Sequence, residues 1–121
     1  MQPRISIEAS EDQGERLVIQ IAGELDMATA PQLTCAFKEM IASSRSKIVV
    51  LDMAALDFLD ASGLRAIISI HRLVQSLHRT VTARNARGEV DTVLRVTGVA
   101  DLLRLSVLDG FEDADQSGWT S

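Results

Sequence analysis

Hydrophobic and polar residues alternate in two short stretches near the amino terminus, weakly at Ile5, Ile7 and Ala9 and cleanly at Leu17, Ile19 and Ile21. The polar segment Glu11-Asp12-Gln13-Gly14-Glu15 separates them. The pair predicts a hairpin with one solvated face, placed at or near a sheet edge. Gly23-Glu24-Leu25-Asp26 leads out of the second strand. The period then becomes helical, with Leu33, Ala36, Phe37, Met40 and Ile41 forming one apolar stripe. Thr29-Ala30-Pro31-Gln32 has the form of a capping box, Thr29 as N-cap and Gln32 reaching back. Pro31 in the first turn removes no hydrogen bond that the helix could have made. The helix ends at Ser43-Ser44-Arg45-Ser46.

Lys47 to Asp52 lacks alternation and is β-branched, as expected of a central strand covered on both faces. Leu56-Asp57-Phe58-Leu59-Asp60-Ala61-Ser62-Gly63-Leu64 reads as the connection that leaves this strand and opens a second helix. In that helix Arg65, Ser69, Arg72, Ser76 and Arg79 mark the wet face, and Leu64, Ile67, Ile68, Ile70, Val74 and Leu77 cover the remainder. So broad an arc predicts a deeply buried helix, or one that also meets a partner. Thr80 to Ala86 reads as a short strand. Val90, Val93, Leu94 and Thr97 give a short helix that Gly98 ends in the left-handed conformation. Leu102 to Leu108 is apolar enough for a last strand. Helix follows strand repeatedly, so parallel pairing through crossovers is expected. The fold class is α/β: one domain, with a mixed, mostly parallel sheet of four or five strands packed with helices.

A length of 121 residues with 46% hydrophobic and 24% charged residues is ordinary for one globular domain. The formal charge of −5 is concentrated at one end. Residues 109–121 carry Asp109, Glu112, Asp113 and Asp115 without Lys or Arg, leaving a near-neutral body. We expect a domain over residues 1–108 and an acidic, flexible tail over 109–121. Such a body supplies no electrostatic argument for direct contact with nucleic acid or an anionic membrane. The single Cys35 excludes an internal disulfide. Together with the polar amino terminus and the lack of an apolar stretch of about 20 residues, it predicts a cytoplasmic protein.

The chemistry concentrates around Ser62. In the first turn of a helix its oxygen lies near amides that have no intrahelical partner, and amides with the helix dipole favour an anion. Asp57 and Asp60 lie within five residues of it. From the residues alone, a second reading stands beside this one, in which Asp60 and Ser62 simply cap a helix. A hydrolase would need Gly-x-Ser-x-Gly, and here the flanking positions are Asp60 and Leu64. His71 lies about 13 Å along the same predicted helix, too far to act as base. His71 and His78 are two turns apart and cannot share an ion, and Asp57 with Asp60 is a weak Mg²⁺ signal. No phosphate-binding glycine loop occurs. Neither a catalytic residue, a metal site nor a cofactor is expected.

The order of elements, with Gly23-Glu24-Leu25-Asp26 and then Asp60-Ala61-Ser62-Gly63-Leu64 preceded by Leu56-Asp57-Phe58-Leu59, resembles the STAS domain. More narrowly it resembles a bacterial anti-sigma-factor antagonist, over roughly residues 4–108. Asn85, Val90, Leu94 and Gly98-Val99 echo that family as well. The resemblance implies a partner switch. The unphosphorylated chain would bind an anti-sigma factor that is also an ATP-dependent serine kinase, freeing the sigma factor for transcription. The kinase would phosphorylate Ser62 and lose its hold, and a phosphoserine phosphatase would restore the hydroxyl. Asp26, Asp57, Asp60, Ala61, Gly63 and Leu64 would form the partner-binding surface around Ser62. The chain would be a phosphoryl acceptor and not an enzyme. A constitutive STAS module of a transporter or scaffold assembly is the alternative.

Two departures stand out. Residues 110–121 have no apolar stripe for the carboxyl-terminal helix common in the family. Ala61 replaces a frequent second hydroxyl residue, leaving Ser62 as the sole hydroxyl acceptor in the loop.

Overall fold

A computed structural model describes residues 4–12 and 15–104. The hairpin is present and longer than the alternation suggested. Strands β1 (Ile5–Asp12) and β2 (Arg16–Leu25) pair antiparallel from Ile5 opposite Gly23 to Asp12 opposite Arg16. Glu11 and Asp12, expected in the turn, belong to the first strand, and an Asp12–Arg16 ion pair closes the hairpin. Helix α1 (Ala30–Ala42) buries Leu33, Phe37 and Ile41 and exposes Cys35.

Strand β3 (Ile48–Asp52) is interior, parallel to β2 on one side and to β5 (Thr80–Arg84) on the other. Leu17, Ile19, Ile21, Val49, Leu51, Val81 and Ala83 face the main core. Val18 and Val50 point the other way and are buried too, outside that cluster, which explains the missing alternation in β3. Asp52 ties the carboxyl ends of β3 and β5 together. One oxygen pairs with Arg84 at 3.1 Å, and the other accepts from the Ala54 amide at 3.0 Å. The Asn85 side chain donates to that second oxygen at 3.4 Å, from a left-handed backbone (φ 65°).

The expected connection after β3 is only in part a loop. Leu56–Leu59 forms a further strand, β4, which pairs parallel with Gly23, Glu24 and Leu25. The sheet order is β1-β2-β3-β5, with β4 beside the carboxyl-terminal half of β2. β2 thus serves two parallel neighbours in succession, β3 along residues 16–20 and β4 along residues 23–25, with a register shift between Gly23 and Glu24 inside the second ladder. β4 was invisible as a strand because its outer residues are buried while Asp57 and Phe58 are exposed, which is neither alternation nor an apolar run.

Helix α2 (Ala61–Ser76) buries Gly63, Ala66, Ile67, Ile70, His71 and Val74. Leu64 and Ile68 are half-buried against the core. Leu77, expected within the apolar arc, is the C-cap and is exposed, because the chain leaves the helix there through His78 at φ 59°. Helix α3 (Gly88–Val96) buries Val90 and Leu94, and Gly98 takes the left-handed conformation (φ 83°) expected of it.

The last expected strand is not found where the structure can test it. Leu102 ends a short helix, α4 (Val99–Leu102), and Leu103 and Arg104 form a turn. The Leu103 carbonyl accepts one bond from the Ala83 amide of β5 at 3.1 Å. The rest of that expected strand, and the acidic tail, lie outside the described residues. The result is a single α/β domain with a mixed five-stranded sheet.

Candidate functional site at the ends of two parallel strands

Leu25 and Leu59 are register partners at the carboxyl ends of β2 and β4, so Asp26 and Asp60 leave the sheet side by side. The Asp60 amide donates to the Leu25 carbonyl at 3.3 Å. Asp60 is extended (φ −110°, ψ −171°) and is the N-cap of α2, its carboxylate accepting from the Gly63 amide at 3.0 Å. Ala61 is the first helical residue and is exposed, and Ser62 is the second. The cap is therefore Asp60 alone. The Ser62 hydroxyl is half-buried and makes no hydrogen bond within the described residues. The amides of Ala61 and Ser62 have no carbonyl to bond within the helix, so the hydroxyl stands beside unpaired donors.

Gly63 fixes how closely this turn approaches the sheet. A β-carbon there would lie 2.5 Å from the Leu25 carbonyl oxygen and 2.8 Å from side-chain carbons of Leu25 and Leu59. Its backbone is ordinary helix, so the requirement is for space and not for an unusual φ. Leu64 packs partly against the core and anchors the turn from the other side.

Asp26 organises the neighbouring loop. Its Oδ1 accepts from the amides of Ala28 at 2.9 Å and Thr29 at 3.0 Å, and its carbonyl accepts from the Ala30 amide at 2.8 Å. Thr29 precedes α1 as expected, but the capping box does not form. The Thr29 hydroxyl turns back to donate to the Glu24 carbonyl at 2.7 Å and to accept from the Asp26 amide at 2.9 Å. Asp26 takes over the role of satisfying the amides ahead of the helix. Partial burial pushes the Asp26 carboxyl up, but the Thr29 and Ala28 amides, the Arg4 guanidinium and the Thr29 hydroxyl outweigh it. The net result holds this carboxyl below its ordinary range.

Asp26, Asp60, Ser62, Gly63 and Leu64 thus converge on one pole of the sheet. Asp57 is turned elsewhere. It is 64% exposed and pairs at 2.8 Å with Arg87, which also donates to the Ala54 carbonyl at 2.6 Å. Three features escaped the sequence reading. Arg4 reaches across from the start of β1 to pair with both Glu24 and Asp26. Met27 is 76% exposed in the loop that Asp26 braces, and Phe58 is 41% exposed opposite Glu24. A large apolar residue beside Asp26 in a loop of otherwise small or polar residues was the available signal for Met27. Arg4 had none, since its partners are 20 and 22 residues away.

Among the described residues no three His, Cys, Asp or Glu side chains are grouped to hold an ion, and no helix is long and apolar enough to cross a membrane.

The chain is similar to the anti-sigma-B factor antagonist of Listeria monocytogenes, 22% identical over 106 residues that cover 88% of this chain and 92% of that one. Among solved structures, an anti-sigma factor antagonist from Mycobacterium paratuberculosis superposes with a TM-score of 0.76 at 25% identity, covering 87% of each chain. The anti-sigma factor antagonist SpoIIAA in its unphosphorylated form does so with a TM-score of 0.71 at 18% identity, covering 86% of this chain and 90% of that one. The model of the STAS domain matches residues 6–114, and the chain belongs to that family.

Proposed function

We propose that this chain is an anti-sigma-factor antagonist whose hold on its partner is switched at Ser62. Unphosphorylated, it binds an anti-sigma factor with serine kinase activity in the cytoplasm and so promotes sigma-dependent transcription. Phosphorylation of Ser62 releases the partner, and a phosphoserine phosphatase resets the switch. The chain itself performs no catalysis.

The observation that carries this reading is the Ser62 hydroxyl. Among the described residues it is the polar side chain of this turn left without a hydrogen bond, because Asp60 has already capped the helix through Gly63. A group with no structural bond to lose can be modified without dismantling the fold. The free first-turn amides would receive phosphate oxygens, so phosphorylation need not strain the helix. The partner surface would include Asp26, Asp60, Ala61, Gly63 and Leu64, with Asp57 at the margin. Exposed Met27 and Phe58 supply apolar contact area of the kind that interfaces desolvate. A partner fitted to a neutral hydroxyl would then face about −1.5 to −2 added charges.

Incubation with candidate ATP-dependent anti-sigma kinases, followed by mass measurement, tests the proposal. The expected result is a gain of one phosphate that maps to Ser62 and is absent from Ser62→Ala. Stable binding of a partner with no such gain, equal for wild type and Ser62→Ala, would favour a constitutive STAS module instead.

A further inference from the structure

Arg4 lies far from Ser62 in sequence, yet three interactions fasten it beside the site. Its carbonyl accepts from the Glu24 amide at 2.8 Å. Gly23, at φ 105°, admits that carbonyl where any β-carbon would collide with it. The guanidinium pairs with Glu24 and, at 2.7 Å, with Asp26 Oδ2. Asp26 is therefore shared, one oxygen holding the amides of Ala28 and Thr29 and the other holding Arg4. Leu25, between the two carboxylates, is the residue against which Gly63 sits. In Gly23-Glu24-Leu25-Asp26 the glycine, the Glu24 amide and both carboxylates thus receive one arginine.

We propose that Arg4 is a positioning residue of the Ser62 site, which compensates the charge of Glu24 and Asp26 and so sets how strongly a phosphate on Ser62 alters this surface. The inference rests on the reading of Ser62 as the phosphoryl acceptor. Without Arg4, the pole of the sheet that carries Ser62 would hold Glu24 and Asp26 uncompensated in addition to Asp60, and the surface would already be negative before phosphorylation. The other charges at the start of α2 are Asp60, its N-cap, and Arg65, one turn along. Both are common to the variants compared below.

The test needs no partner. Phosphoserine is installed at position 62 during translation, and ³¹P NMR follows its second ionisation in wild type, Arg4→Gln, Arg4→Lys and Asp26→Asn. The expected result is a rise of a few tenths of a pH unit in Arg4→Gln, as loss of one neighbouring positive charge in a watery medium produces. Arg4→Lys should restore most of the wild-type value, and Asp26→Asn should lower it. Two-dimensional NMR of each variant reports whether the fold is kept, and if Arg4→Gln unfolds, the equally neutral Arg4→Met takes its place in the comparison. Identical ionisation in wild type and the folded neutral variant of Arg4 would overturn the proposal. Because the phosphate is installed directly, failure of every kinase to modify Ser62 would defeat the phosphoacceptor reading and leave this result standing.

Discussion

The carbonyl oxygen of Leu25 lies 2.5 Å from where a β-carbon on Gly63 would sit. The contact is to backbone at the end of a paired strand, so it cannot be relieved by rotating a side chain. Gly63→Ala should therefore lift the first turn of α2 away from β2 and β4, although alanine is the better helix former. A loss of about 1–3 kcal/mol is expected, as for other overpacked core positions. Urea denaturation measures it, and an unchanged or raised midpoint would contradict the packing argument.

Asp60 and Ser62 should separate cleanly in stability. Asp60→Ala removes the side chain that accepts from the Gly63 amide and should cost about 0.5–2 kcal/mol, with Asp60→Asn or Asp60→Ser recovering most of it. Ser62→Ala removes no hydrogen bond and should fall within about 0.5 kcal/mol of wild type. Equal losses for the two alanine variants would mean that the hydroxyl also caps the helix.

Acid should act through Asp26. Its carboxyl titrates below the ordinary range in the folded chain, so the folded state binds this proton less readily than the unfolded chain does. The stabilisation is complete above the unfolded value of about 3.9 and is lost as pH falls through the lower folded value. Asp26→Asn should be less stable than wild type at neutral pH, and its stability should fall less steeply below about pH 4. Thermal melts between about pH 2 and 7 would show this, and parallel acid limbs for the two proteins would rule it out.

Binding should follow the charge at position 62. Against one cognate anti-sigma kinase, wild type and Ser62→Ala should bind most tightly, Ser62→Asp more weakly and phospho-Ser62 least. A swing from about 99:1 to 1:99 occupancy needs roughly 5.5 kcal/mol. Desolvating a phosphate dianion against an interface built for a hydroxyl, with no partner cation to meet it, imposes a penalty of that order. Calorimetric titration of the four forms gives the ranking directly. Equal affinities would reduce Ser62 to a bystander.

The parts of this structure that were legible in the sequence are those with a period or an unbroken apolar run. Ile48 to Leu51 announced an interior strand through an unbroken apolar run, and Leu33, Phe37 and Ile41 announced the buried face of α1 through their spacing. Ser62 at the opening of a helix followed from the same patterns. What stayed hidden depends on partners distant along the chain. β4 is a strand only because Gly23, Glu24 and Leu25 offer it an edge, and its own four residues have no period to detect. Thr29 looked like half of a capping box, but it had a better partner in the Glu24 carbonyl behind it. Leu102 and Leu103 suited a strand by composition, but Gly98 turns the chain into another short helix before they are reached.

The antiparallel pairing of Ile5 with Gly23 has a practical corollary for anyone handling this protein. The chain enters the domain at the same pole that presents Ser62, and its fourth residue is bonded to the loop beside that serine. A purification tag, a fluorophore or a second domain joined directly ahead of Arg4 would start close to the surface proposed for the partner. A bulky or charged fusion there can mask the surface or mimic its phosphorylated state. Measurements of the switch should therefore be made with that end cleared.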